Sequence, residues 1–263
     1  MGFSSLPLFE DDLAEGAVLE PHSFHPDVPQ LSPRGLLCFF HDVLDDLFAR
    51  GELSVVYELR SEIGRNLVYS YETTHGPITV VHPGVGAPLA AGFTEELIAC
   101  GLKSFVAVGG AGALRDELGL GHVMVVDSAL RDEGTSFHYL APSRIVEAHP
   151  PGVQLLQEVL AKADVSFFTG RTWTTDGLFR EARSRVTRRV DEGCSMVDME
   201  ASAFMAVSRY RRVPFAQILY AGDSLAGVEW DGRGWDRASD IREQLFRLAA
   251  EAAAQMSIEA LEA

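Results

Sequence analysis

Short apolar, β-branched runs recur along the chain. They are "GLLCFF" (35–40), "PITVVH" (77–82), "SFVAVGG" (104–110), "HVMVVDS" (122–128), "VSFFTG" (165–170) and "PFAQILYAG" (214–222). Bounded by turn residues, such runs read as buried strands. Helical spacing alternates with them in "HDVLDDLFARG", "PLAAGFTEELIACG", "PGVQLLQEVLAKAD" and the Ala- and Glu-rich C-terminal stretch from Asp236. Strand, loop, helix, strand is the signature of an α/β fold. Residues 1–34 show little periodicity and read as an arm laid on the surface or on a neighbouring subunit. Residues 35–263 read as a single domain.

One helical pattern contains an oddity. In "VDMEASAFMAVSRY" and the Met196 before it, the positions Met196, Val197, Glu200, Ala203, Phe204 and Val207 share a face at helical spacing. That face is apolar except for Glu200. An unpartnered carboxylate in a buried stripe costs several kcal/mol, so it calls for a ligand or a cation.

Ligands of open α/β sheets bind at the carboxyl ends of the strands, and three strand ends carry unusual residues. In "HPGVGAPLAAG", Gly84 and Gly86 let the backbone approach a ligand, and Pro88 suits the first helical turn. In "VGGAGAL", Gly109, Gly110 and Gly112 mark a backbone pressed against a ligand or against another part of the chain. In "LYAGDS", Asp223 directly follows an apolar strand. It reads as a candidate general acid or as a turn former.

Composition narrows the function classes. A formal net charge of −16 argues against nucleic acid as a partner. Arg180 to Arg189 form a basic, helically spaced cluster interleaved with acids, read as a solvated face or a contact for an anion. No apolar run is long enough to span a membrane, and no secretory leader is evident. Cys38, Cys100 and Cys194 lack metal spacing and read as free thiols of a cytoplasmic protein. No metal or organic cofactor is expected.

Together, "HPGVGAP", "FVAVGGAGAL", "GHVMVVDSALRDEGTSFHY", "TTDGLF", "VDMEASA" and "LYAGDS" resemble the nucleoside phosphorylase superfamily of purine nucleoside phosphorylases, uridine phosphorylases and methylthioadenosine nucleosidases. The resemblance implies a central twisted mixed sheet, barrel-like and flanked by helices, and scission of an N-glycosidic bond. It assigns Glu200 to the ribose 2′- and 3′-hydroxyls and Met199 to the sugar face. It assigns Asp223 to N7 of a purine leaving group, and Asp198 reads as sitting at the helix N-terminus, where a negative charge is favoured. Gly86, Gly109 and Gly110 would border the substrate. Phe179 would stack on the base, with Trp173 and Leu178 as further candidates. Phe137 and His138 would form pocket wall or an inter-subunit contact. His22 and His25 are candidates for a neighbour's 5′-hydroxyl. The family also implies a homodimer or a hexamer built as a trimer of dimers.

The phosphate site departs from the family pattern. The usual Gly- and Arg-bearing loop after the first strand is replaced by "LLCFFHDVLDD", which carries Asp42, Asp45 and Asp46. Ala107 stands where the family has an arginine, and Gly110 near its hydroxyl position. Arg60 and Arg65 are candidate replacements for a phosphate co-substrate. If water is the acceptor, His41 or Asp42 would activate it. Phosphorolysis, hydrolysis and nucleoside binding without turnover all remain consistent with these residues.

Overall fold

The computed structural model describes residues 6–10, 13–24, 31–235 and 238–262. A short helix α1 (Pro21–Phe24) precedes β1 (Arg34–Cys38), α2 (His41–Ala49), β2 (Leu53–Ser61), β3 (Gly64–Thr73), β4 (Gly76–Val81) and α3 (Ala87–Ala99). Then come β5 (Ser104–Ala113), β6 (Val123–Asp132), β7 (Ile145–Glu147), α4 (Pro150–Lys162), β8 (Phe167–Thr175) and α5 (Arg183–Asp191). The chain closes with β9 (Cys194–Asp198), α6 (Ala201–Arg211), β10 (Phe215–Ser224) and α7 (Ser239–Gln255).

Among the described residues, ten strands form one mixed sheet in the order β10-β6-β8-β9-β5-β1-β4-β3-β2, with β7 on β6. β10 also pairs in parallel with β5, which closes a barrel-like ring through β6, β8 and β9. Helices cover both faces. On one, Phe93 of α3 and Phe204 of α6 pack with Leu37, Phe105 and Phe215. On the other, Leu44, Leu156 and Phe246 from α2, α4 and α7 pack with Leu36, Val108 and Ile218. Full cover explains why these strands read as continuous apolar runs.

Three differences from the sequence pattern have physical reasons. Met196 and Val197 belong to β9, where they pair with Ala113 and Gly112 of β5. Helix α6 starts only at Ala201, because the Asp198 carboxylate accepts the N–H groups of Glu200 (3.2 Å) and Ala201 (2.7 Å). Glu200 therefore stands at a strand-to-helix junction and not within a helical stripe. The β2–β3 hairpin was not announced by an apolar run, since Glu58, Arg60 and Arg65 interrupt it. Helix α7 stops at Gln255: Met256 is extended, and the Leu261 N–H donates to the Arg212 carbonyl. All three cysteines are buried free thiols. Among the described residues, no helix is long and apolar enough to cross a membrane.

Candidate active site

The carboxyl ends of β5 and β10 meet the β9–α6 junction around a cavity of about 840 Å3. Glu200 and Asp223 both line it, brought there by elements 23 positions apart in sequence.

Glu200 is only 6% exposed. Its Oε1 accepts the Gly86 N–H at 2.6 Å. Gly86 has a φ of 93°, which suits glycine, and it begins α3. Burial first, and then the charge of Asp198, push the Glu200 carboxyl up to about 8. A diol donating hydrogen bonds into this group would favour its charged form. Asp198 is pushed up to about 6 by burial, against the pull of its donors. Those donors include the hydroxyls of Thr174 (2.8 Å) and Thr172 (3.2 Å) as well as the helix amides. Asp198 is thus committed to capping α6, as the sequence implied.

Asp223, which also lines the cavity, accepts the Trp230 indole N–H on its Oδ2 at 2.6 Å. Glu181 lines the same region. Burial, and then the Asp223 charge, push its carboxyl up to about 7. Glu181 therefore keeps its proton to a higher pH than an ordinary carboxyl, and it does so beside Asp223, which accepts the indole N–H. The Arg183 guanidinium donates to the carbonyls of Leu225, Ala226, Gly227 and Val228. It ties down the segment that carries Trp230 and Trp235 to the cavity.

The glycine-rich end of β5 is pressed against the chain's own side chains. A Cβ on Gly109 would meet the Phe39 ring at 3.0 Å, and one on Gly110 would meet Tyr220 at 3.3 Å. One on Gly112 would meet Leu225 at 2.6 Å. Phe39 and Phe40, which follow β1, line the cavity floor with Gln217 and Arg242. Arg242 is buried, 2.7 Å from Asp42 Oδ1, and lies 5.0 Å over the Phe40 ring.

The sequence pattern that defines the phosphorylase superfamily matches residues 33–262. The chain belongs to that superfamily. It is 26% identical over 187 residues to a guanosine phosphorylase of Halorubrum lacusprofundi, covering 68% of this chain and 76% of that protein. A uridine phosphorylase of Thermococcus kodakarensis is 32% identical over 103 residues, 39% of this chain and 37% of that protein. Among solved structures, a uridine phosphorylase of Vibrio fischeri superposes with a TM-score of 0.70 at 25% identity, covering 87% and 93% of the two chains. A purine nucleoside phosphorylase of Toxoplasma gondii gives 0.73 at 20% identity, covering 86% and 92%, and shares the fold.

Within this superfamily fold, Glu200, Met199, Asp223, Gly109, Gly110 and Phe179 line one cavity. Gly86 joins them through its bond to Glu200. Phe179 is 94% exposed, so it stands at the mouth and not inside. Trp173 is a core residue, fully buried, with its indole N–H on Asp132 at 2.9 Å. It is not part of a base pocket. Phe137 and His138 also lie away from the cavity. Their turn is drawn to α6 by Glu133, which accepts Ser136 N–H and the Ser202 hydroxyl, and Phe137 packs on Phe9 of the N-terminal arm. Arg60 and Arg65 flank the β2–β3 turn, both paired with Glu58, and do not line the cavity. His41 points outward onto Asp45 at 3.0 Å, and Asp42 faces Arg242, so neither is placed to activate water in it. His22 is exposed on α1, and His25 lies outside the described residues.

Sequence reasoning missed Phe39, Glu181, Gln217, Trp230, Trp235 and Arg242. Only Gln217 carried a signal, as an amide inside the apolar run "PFAQILYAG". Among the described residues no group of His, Cys, Asp and Glu has the arrangement of a metal site.

Proposed function

We propose that this chain cleaves the N-glycosidic bond of a purine nucleoside and transfers the pentose to water. The observation that carries the reading is that Glu200 and Asp223 face one cavity, as a sugar anchor and a base anchor must. Glu200 takes the ribose hydroxyls through the oxygen not held by Gly86, which fixes the reacting carbon. Asp223 and Glu181 face the base. A proton or hydrogen bond delivered there stabilises the leaving group as negative charge builds on it. Two acids at the base end suit a purine, which offers ring nitrogens as proton acceptors. Water is favoured over phosphate because the Phe39 ring covers Gly109 and because the buried cation at the floor, Arg242, is already paired with Asp42. Burying a phosphate dianion at that floor would be costly, since Arg180, the other cation lining the cavity, is exposed and stands beside Phe179.

Phosphorolysis is the second reading, favoured by the phosphorylase names of the relatives. Base release from adenosine, inosine, guanosine, uridine and 5′-methylthioadenosine, with and without inorganic phosphate, decides between them. Purine release at equal rates in both conditions, with free pentose as co-product, is expected. Release only with phosphate, giving the pentose 1-phosphate, overturns the hydrolytic reading. Uridine as the preferred substrate overturns the purine assignment.

A further inference from the structure

Gln217 presents an unusual combination. It is 1% exposed, and neither its Nε2 nor its Oε1 has a hydrogen-bond partner among the described residues. It lines the same cavity as Met199 and Glu200. Burying an amide without partners costs energy at each atom, and native structures rarely leave both ends unmet. Its place on β10 explains which way it faces. Phe215, Leu219 and Ala221 belong to the cluster that packs under α6, and side chains two apart share a face of a strand. Gln217 therefore projects to the α6 side, beneath the helix that begins beside Glu200.

The register adds a second observation. Gln217 pairs directly with Ala107 of β5, and Ala107 pairs with Leu37 of β1. The next row toward the strand ends is Leu219 beside Gly109, with the Phe39 ring over Gly109. Ala107 is the position at which the family resemblance calls for an arginine. An uncharged amide on the adjacent strand thus occupies the row from which a cation is missing.

We propose that Gln217 holds the water molecule that attacks the sugar. An amide offers two N–H donors and an acceptor oxygen, which matches a water's own lone pairs and O–H groups. The surrounding Leu37, Phe39 and Leu219 are apolar and leave this amide as the local polar anchor. Held between Nε2 and Oε1, the water keeps a lone pair free for the anomeric carbon. In the step, the C1′–N bond breaks and its electron pair leaves with the base, which takes up a proton at the Asp223 and Glu181 end. The water oxygen bonds to C1′ and its surplus proton passes to solvent in the open cavity. The sum is nucleoside plus water giving free base plus pentose. This assignment rests on the hydrolytic reading above and adds to it the residue that positions the nucleophile.

The test uses the full chain. Gln217→Leu removes the amide at similar volume, and Gln217→Asn keeps it but draws it back by one methylene. Three quantities are read: phosphate-free turnover, affinity for formycin A (a C-nucleoside with no cleavable glycosidic bond) and melting temperature. The expected result is that kcat falls about 100-fold in Gln217→Leu. Gln217→Asn is expected to fall between it and the parent. Formycin affinity should be unchanged in both, and melting temperature should not drop, since the amide makes no hydrogen bond to the rest of the described chain. A crystal structure of the parent with formycin A should show an ordered water bonded to both amide atoms. Full phosphate-free turnover by Gln217→Leu, or a parallel loss of turnover and formycin affinity, overturns the role of Gln217 and leaves hydrolysis standing. Strict phosphate dependence of the parent protein overturns the hydrolytic reading itself, and this assignment with it.

Discussion

On the proposed reading, the sugar end and the acceptor end of the cavity are built in opposite ways. At the sugar end, each polar group is held by another. Gly86 fixes Glu200, and Asp198 is fixed by two helix amides and two threonine hydroxyls. At the acceptor end, β1 delivers Phe39 and Phe40, Asp42 turns to Arg242, and His41 turns outward to Asp45. One end spends stability on a preorganised buried acid, while the other has exchanged polar anchors for aromatic packing. On that reading, sugar and acceptor recognition are separable parts of this scaffold. The residues that the family resemblance assigns to the pentose are present, while Phe39, Ala107 and Gly110 stand where it implies phosphate contacts.

The largest effect is expected from the sugar end. Glu200→Gln should lower kcat/KM about 1,000-fold, since it removes the charged acceptor of the ribose hydroxyls in the transition state. The same variant should gain stability in alkaline solution. The Glu200 carboxyl is pushed from its ordinary 4.5 up to about 8, so the folded protein holds a proton that the unfolded chain has released. That contribution is complete below the unfolded value and is lost as pH rises through about 8. The melting temperature of Glu200→Gln relative to the parent should therefore climb from about pH 5 to about pH 9. A constant difference would mean that Glu200 does not titrate in this range.

Next comes the base end. Asp223→Asn should cost about 100-fold in kcat, with a smaller loss on substrates whose base leaves readily without help, such as a nitrophenyl riboside. Equal losses on both kinds of substrate would count against a leaving-group role. Glu181 gives a subtler signal. With its carboxyl up at about 7, it is protonated below that pH and ionised above it. If its proton serves the base, the rate should decline as pH rises through about 7. Glu181→Gln keeps an N–H donor that does not titrate, so the decline should flatten while the rate near pH 6 drops only about tenfold. A profile that keeps its alkaline limb would assign that limb to another group.

The smallest effect is expected from the β2–β3 turn. The double change Arg60→Ala, Arg65→Ala removes two exposed partners of Glu58 and should alter turnover less than about twofold, because exposed ion pairs contribute little. A large rise in KM for phosphate would instead show that this turn serves the cavity of another copy of the chain.

The fold was legible because its strands are buried on both faces. Continuous apolar runs announced six of them, and the glycine and acid at their ends pointed to the right edge of the sheet. Edge and junction elements were harder to read. The β2–β3 hairpin alternates charged and apolar residues, and β9 is only Cys194–Asp198, short enough for its apolar pair to pass as part of the next helix. Residues with a strong chemical signature, Glu200 and Asp223, were found from sequence. Glu181 and Trp230 were not, because nothing local distinguishes them from surface residues until the chain folds them beside Asp223.

Local sequence therefore dictated the strand-and-helix alternation, the cap on α6 and the two acids that line the cavity, since each follows from side-chain chemistry acting over a few residues. Tertiary structure decided what surrounds those acids. Phe39 over Gly109, Arg242 on Asp42 and Gln217 beside Ala107 join positions more than 60 residues apart. Whether a buried floor accepts an anion or a neutral molecule depends on the sum of the charges and dipoles gathered there, which no single stretch of chain contains.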